Sequence, residues 1–89
     1  MERRQKIDNQ SQKFLMVFTE PEAQDYWLSP GDVIEIRAPI DDVNAMFEMS
    51  LREDGITVWP SGQMGYVSVW QDDTELSCGH QRPKGWGES

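Results

Sequence analysis

Residues 46–60 read Met-Phe-Glu-Met-Ser-Leu-Arg-Glu-Asp-Gly-Ile-Thr-Val-Trp-Pro. Phe47, Met49 and Leu51 alternate with Glu48, Ser50 and Arg52; Asp54-Gly55 interrupts, and alternation resumes over Ile56, Thr57, Val58 and Trp59. A strand sends successive side chains to opposite faces, and Asp-Gly tolerates the positive φ of the tight primed turns. Two period-2 runs around Asp-Gly therefore predict a β-hairpin. With Asp54-Gly55 as the loop, Glu53 pairs with Ile56, Arg52 with Thr57 and Leu51 with Val58. Phe47, Met49, Leu51, Ile56 and Val58 then share an inner, buried face, while Ser50, Arg52, Thr57 and Trp59 share the outer one.

The flanking sequence repeats this logic. Tyr66-Val67-Ser68-Val69-Trp70 alternates again, and Asp72-Asp73 as a loop pairs Gln71 with Thr74, Val69 with Leu76 and Val67 with Cys78. Upstream, Val33–Ala38 alternates with Ile34 and Ile36 inward and Glu35 and Arg37 outward; Pro39 ends it, and Ser29-Pro30-Gly31-Asp32 ahead of it has the chemistry of a type II turn. Phe14–Phe18 is a continuous apolar run of strand length, the mark of a central strand covered on both faces. Thr19-Glu20-Pro21-Glu22 has the composition of a helix start, of two turns at most, or of a loop leading into a strand at Tyr26-Trp27-Leu28. Residues 1–12 are polar and aperiodic and read as a flexible arm; residues 80–89, rich in Gly and Pro and basic, read as a flexible tail. The expectation is an all-β fold, a small antiparallel β-sandwich or barrel of six to seven short strands over 13–79 with flexible termini.

Charge is unevenly spread. The chain carries −8 in all, yet residues 1–13 carry +2 and residues 80–89 carry +1, so the middle holds −11 with Arg37 and Arg52 as its only fixed cations. Duplex nucleic acid and anionic membrane surfaces both require basic protein surface, so neither is an expected partner. One cysteine excludes an intramolecular disulfide. No apolar run follows the charged N-terminal residues and none approaches the length of a membrane span, so the expected location is the cytoplasm.

No catalytic constellation stands out. Cys78-Gly79-His80 offers metal-ligand types, but a structural zinc site needs four ligands and the chain has one Cys and one His. Cys78 reads as a small buried hydrophobe at a strand end and His80 as a solvated tail residue. The acid pairs Asp41-Asp42, Glu53-Asp54 and Asp72-Asp73 fall in turns, where Asp is favoured for backbone reasons and where nothing shifts a carboxyl pKa towards acid–base work. No cofactor, metal or enzymatic activity is expected.

The residues that point to function are Arg52, Trp59, Tyr66 and Trp70. Trp, Tyr and Arg dominate interface hot spots, and these four project from the polar faces of the two hairpins. If both hairpins belong to one sheet, they line one surface. The expectation is a small acidic, non-enzymatic interaction protein of inhibitor, immunity or adaptor type, using its acidic body and this aromatic face against a protein with a basic or amphipathic surface. A homodimer is a further possibility, since sheet edges pair readily. Two alternatives stand beside it: a carbohydrate- or small-molecule-binding domain that stacks its ligand on Trp and Tyr, and an acidic mimic of a nucleic-acid backbone.

Overall fold

Period-2 strands with one apolar face bury that face by stacking two sheets. The structure, a computed structural model, describes residues 1–62 and 64–86. The strands are β1 (Glu2–Asp8), β2 (Leu15–Thr19), β3 (Gln24–Leu28), β4 (Val33–Pro39), β5 (Phe47–Arg52), β6 (Gly55–Pro60), β7 (Ser68–Gln71) and β8 (Thr74–Glu75). One sheet has the order β1-β4-β7-β8 and the other β3-β2-β6-β5. The pair is an open all-β sandwich; it does not close into a barrel. Pairing is antiparallel except for β2 with β6, which run parallel.

The core lies between the sheets. Ile7, Ile34, Ile36, Ala38 and Val69 from one sheet meet Val17, Tyr26, Leu28 and Val58 from the other. Ile34 and Ile36 face inward and Glu35 and Arg37 outward, as alternation predicts. The apolar run at 14–18 becomes β2, held between β3 and β6 with Met16 and Val17 buried. The turn before β4 closes with the Asp32 amide donating to the Ser29 carbonyl (3.0 Å), and Gly31 takes φ +89°. Residues 20–23 form the loop of the β2–β3 hairpin, so the helix start considered for 19–22 does not occur. Apolar strands on both sides leave such a helix no core to bury a face against.

Both predicted hairpins form, the first with a change of register and the second ending at Leu76, so that Val67 and Cys78 do not pair. In the second, Gln71 faces Thr74 and the Leu76 amide reaches the Val69 carbonyl at 2.8 Å. Asp72 and Asp73 both adopt positive φ (50° and 64°), so Asp-Asp makes the primed turn. In the first, Arg52 faces Gly55, Leu51 faces Ile56 and Met49 faces Val58, so the loop is Glu53-Asp54 instead of Asp54-Gly55. The shift is two residues, which preserves every side chain's face. Its cause lies in β2: a Cβ on Gly55 would overlap the Met16 carbonyl oxygen and stand 2.6 Å from the Met16 amide nitrogen. Gly55 serves the close approach of a neighbouring backbone, not a turn.

Three further expectations are corrected. The N-terminal segment read as a flexible arm contains β1, paired with β4 from Glu2↔Pro39 to Asp8↔Val33. Its lone apolar residue, Ile7, enters the core, and Asn9 is buried with its amide donating to the Lys13 and Leu28 carbonyls and its Oδ1 accepting from Ser11. The C-terminal segment, as far as it is described, docks on β3, as set out below; residues 87–89 lie outside the described residues. Finally, the inner face of the first hairpin is only half buried. Val58 is fully covered, but Met49 is 41% and Leu51 88% exposed on β5, the edge strand of its sheet.

Candidate functional site

The two hairpins sit in different sheets. β6 pairs with β2, whereas the next strand, β7, pairs with β4 in the other sheet. Arg52 and Trp59 therefore belong to one sheet and Trp70 to the other, with Tyr66 just ahead of β7. The single aromatic surface expected from Arg52, Trp59, Tyr66 and Trp70 does not form. Period-2 alternation sets a side chain's face within its sheet but carries no information about which sheet the strand joins.

Each residue has its own setting. Trp70 is half-buried, donates from Nε1 to Ser68 Oγ (2.9 Å) and carries the Arg37 guanidinium 4.5 Å above its ring. Arg37 in turn bonds Glu35 (2.6 Å). This occupied ring lines a cleft of about 190 Å³ with Lys6, Val33, Asp72 and Asp73, below the roughly 300 Å³ at which ligand pockets begin. Tyr66 is exposed and donates to Gln24 Oε1 (3.0 Å), which also accepts from Tyr26 (2.9 Å). Burial pushes the Tyr26 phenol up to about 12, so it remains a donor. The Tyr66 hydroxyl thus ties the chain just ahead of β7 to β3.

Trp59 and Arg52 lie on the β5–β6 hairpin in a different environment. Trp59 is 44% exposed, directly opposite Glu48. Arg52 is exposed, 3.6 Å from Asp54 and 3.4 Å from the Thr57 hydroxyl. On the other face of β5, Met49 and Leu51 stand in water, and Val43 and Met46 just before the strand are exposed as well. Across residues 41–60, Arg52 is the only fixed cation against Asp41, Asp42, Glu48, Glu53 and Asp54. The hairpin is an apolar blade in an acidic surround.

Comparison of the chain with protein-family models, with curated proteins and with solved structures returned no match. Among the described residues, no three of His, Cys, Asp and Glu gather in a geometry that would hold a metal ion.

The most connected polar cluster is one the sequence reading missed. Asp25, 3% exposed on β3, accepts from Arg82 Nε (2.8 Å) and Nη2 (2.6 Å) and from Trp27 Nε1 (2.9 Å). The Arg82 hydrogen bond, foremost, holds the carboxyl below its ordinary pKa. Arg82 also lies 5.2 Å from the Trp86 ring, which packs edge-on against Trp27 at 5.7 Å. Beside them the Gly79 amide bonds the Asp25 carbonyl and the His80 carbonyl accepts from the Trp27 amide. Gln81 bonds the Trp27 carbonyl and Asp32, whose carboxyl is lowered by that bond first and by Ser29 next. Cys78 is exposed and His80 partly covered, the reverse of what was expected. Every partner here is internal, so the cluster is a clasp that holds 78–86 on β3. The one signal for it in the sequence was an Asp inside an apolar strand, which demands a cation from elsewhere.

Proposed function

We propose that this is a non-enzymatic interaction protein whose working surface is the β5–β6 hairpin. The observation that carries the reading is the exposure of Trp59 on one face and of Met49 and Leu51 on the other, within an acidic stretch. Apolar side chains that adjoin one another in water, as Met49 and Leu51 do on one face of β5, mark contact surfaces, and Trp is the residue most often found at their energetic centres. The surrounding acids select a basic or amphipathic protein and speed its encounter. Ligand stacking on a shared aromatic platform has less support, since Trp59 is separated from Tyr66 and Trp70, and Arg37 already covers one face of Trp70.

The test is capture from a lysate of the source organism by the immobilised protein, at low and high salt, with bound proteins identified by mass spectrometry. Basic proteins should bind at low salt and be released at high salt, because exposed charges separated by more than about 8 Å are screened at physiological ionic strength. Trp59→Ala should lose them while keeping a cooperative melt. Capture indifferent both to salt and to Trp59 would dismiss the hairpin as the working surface.

A further inference from the structure

The sandwich has four sheet edges, and they are not alike. Residues 79–80 cover the β3 edge, and β8 is only two residues long. The β1 edge carries Arg4 and Lys6 between Glu2 and Asp8, the kind of charged edge that discourages pairing. The β5 edge is six residues long, exposes Met49 and Leu51, and has no strand beside it among the described residues.

We infer that the open edge of β5 is a homodimer seam, in which two copies pair antiparallel about a two-fold axis through Ser50. The inference rests on reading the β5–β6 hairpin as an interaction surface and names one occupant for its backbone edge. The register follows from strand geometry. Along an antiparallel edge only alternate residues turn N–H and C=O outward, so residues of like parity must face each other across the axis. Centring on Glu48 or on Arg52 sets that charge against itself. Centring on Leu51 sets Glu48 against Asp54, and centring on Met49 sets Glu48 against Ser50 and pairs no charges. Centring on Ser50 sets Glu48 of each copy opposite Arg52 of the other on the outer face, and Met49 opposite Leu51 on the inner face, both twice over. Of these five registers it alone joins opposite charges while covering the two exposed apolar residues.

The axis stands perpendicular to the sheet, so the β3-β2-β6-β5 sheets of the two copies merge into one of eight strands. Trp59, opposite Glu48 on β6, then appears twice on one continuous outer face. Each copy carries −8, which opposes association; at physiological ionic strength that repulsion is screened beyond about 8 Å, whereas pairs in contact persist.

Analytical ultracentrifugation of the whole chain at physiological salt tests the seam. Wild type should dimerise reversibly. Glu48→Arg and Arg52→Glu should each raise the dimer dissociation constant by about tenfold or more, since each places two like-charged pairs in direct opposition. An equimolar mixture of the two variants should form a heterodimer, and the double variant E48R/R52E should regain self-association. Both side chains are exposed, so circular dichroism should be unchanged; if one single variant misfolds, the other places the same two like-charged pairs in opposition and supplies the same comparison. A wild type that stays monomeric at high concentration, or a dimer insensitive to these reversals, overturns the seam. A monomer that still captures partners through Trp59 overturns the seam alone, whereas a dimer that obeys the charge reversals yet captures nothing keeps it and removes the proposed partner.

Discussion

Gly55 shows how one residue can be right for a reason other than the one its neighbours suggest. Asp54-Gly55 has the chemistry of a primed turn, yet the turn sits one residue earlier and Gly55 lies in β6 against the backbone of Met16. Replacing it with Ala or Val asks a Cβ to occupy the space of a main-chain carbonyl that belongs to the central strand and cannot yield as a side chain would. Gly55→Ala should therefore destabilise the fold by about 3 kcal/mol or more, the upper end of the cost of overpacking. Urea unfolding measures this directly. A turn glycine at positive φ with open space around it costs only about 1–2 kcal/mol on replacement by Ala, so a shift of that size would return Gly55 to the turn.

At the scale of elements, the segment 78–86 behaves as part of the sandwich. Deleting residues 78–89 uncovers Trp27 and leaves the buried Asp25 without its cation. Stability should fall by about 2 kcal/mol, or about 10 °C in Tm for a domain of this size, with a red shift of tryptophan fluorescence; an unchanged melt would mean that the clasp is ornamental. This element also marks the boundary of what could be read in advance. Alternation over 33–38 and 55–60 was enough to place strands and faces, because one-sided burial leaves a local signature; 47–52 keeps the alternation although its apolar face stands in water. Glu2–Asp8 and 78–86 left none: β1 buries only Ile7, and the clasp is built from contacts between residues more than fifty positions apart, Arg82 to Asp25. For the same reason Trp59 and Trp70 could be assigned to outer faces but not to a common sheet. Crossing from one sheet to the other is decided by long-range pairing, β6 with β2 and β7 with β4.

For the whole molecule, charge sets a pH limit. Asp25 and Asp32 both titrate below their ordinary value when folded, through Arg82 and Gln81 respectively. A depressed folded pKa adds stability that is fully present above the unfolded carboxylate value, near 3.9, and is lost as pH falls through the folded value. The domain should thus hold its stability down to about pH 4 and lose it progressively below. Asp25→Asn should be less stable at neutral pH and show a shallower acid loss; parallel acid curves for the two proteins would locate the sensitivity elsewhere. On the proposed reading the β5–β6 hairpin adds a second charge effect, since binding of a basic partner there should weaken as salt rises. The clasp finally bears on how the chain is made. Residues 78–86 follow every strand of the sandwich in the chain, so synthesis delivers Arg82 and Trp86 last. Until they dock, an Asp25 placed in β3 has no guanidinium to meet it and Trp27 lacks the edge-on cover of Trp86.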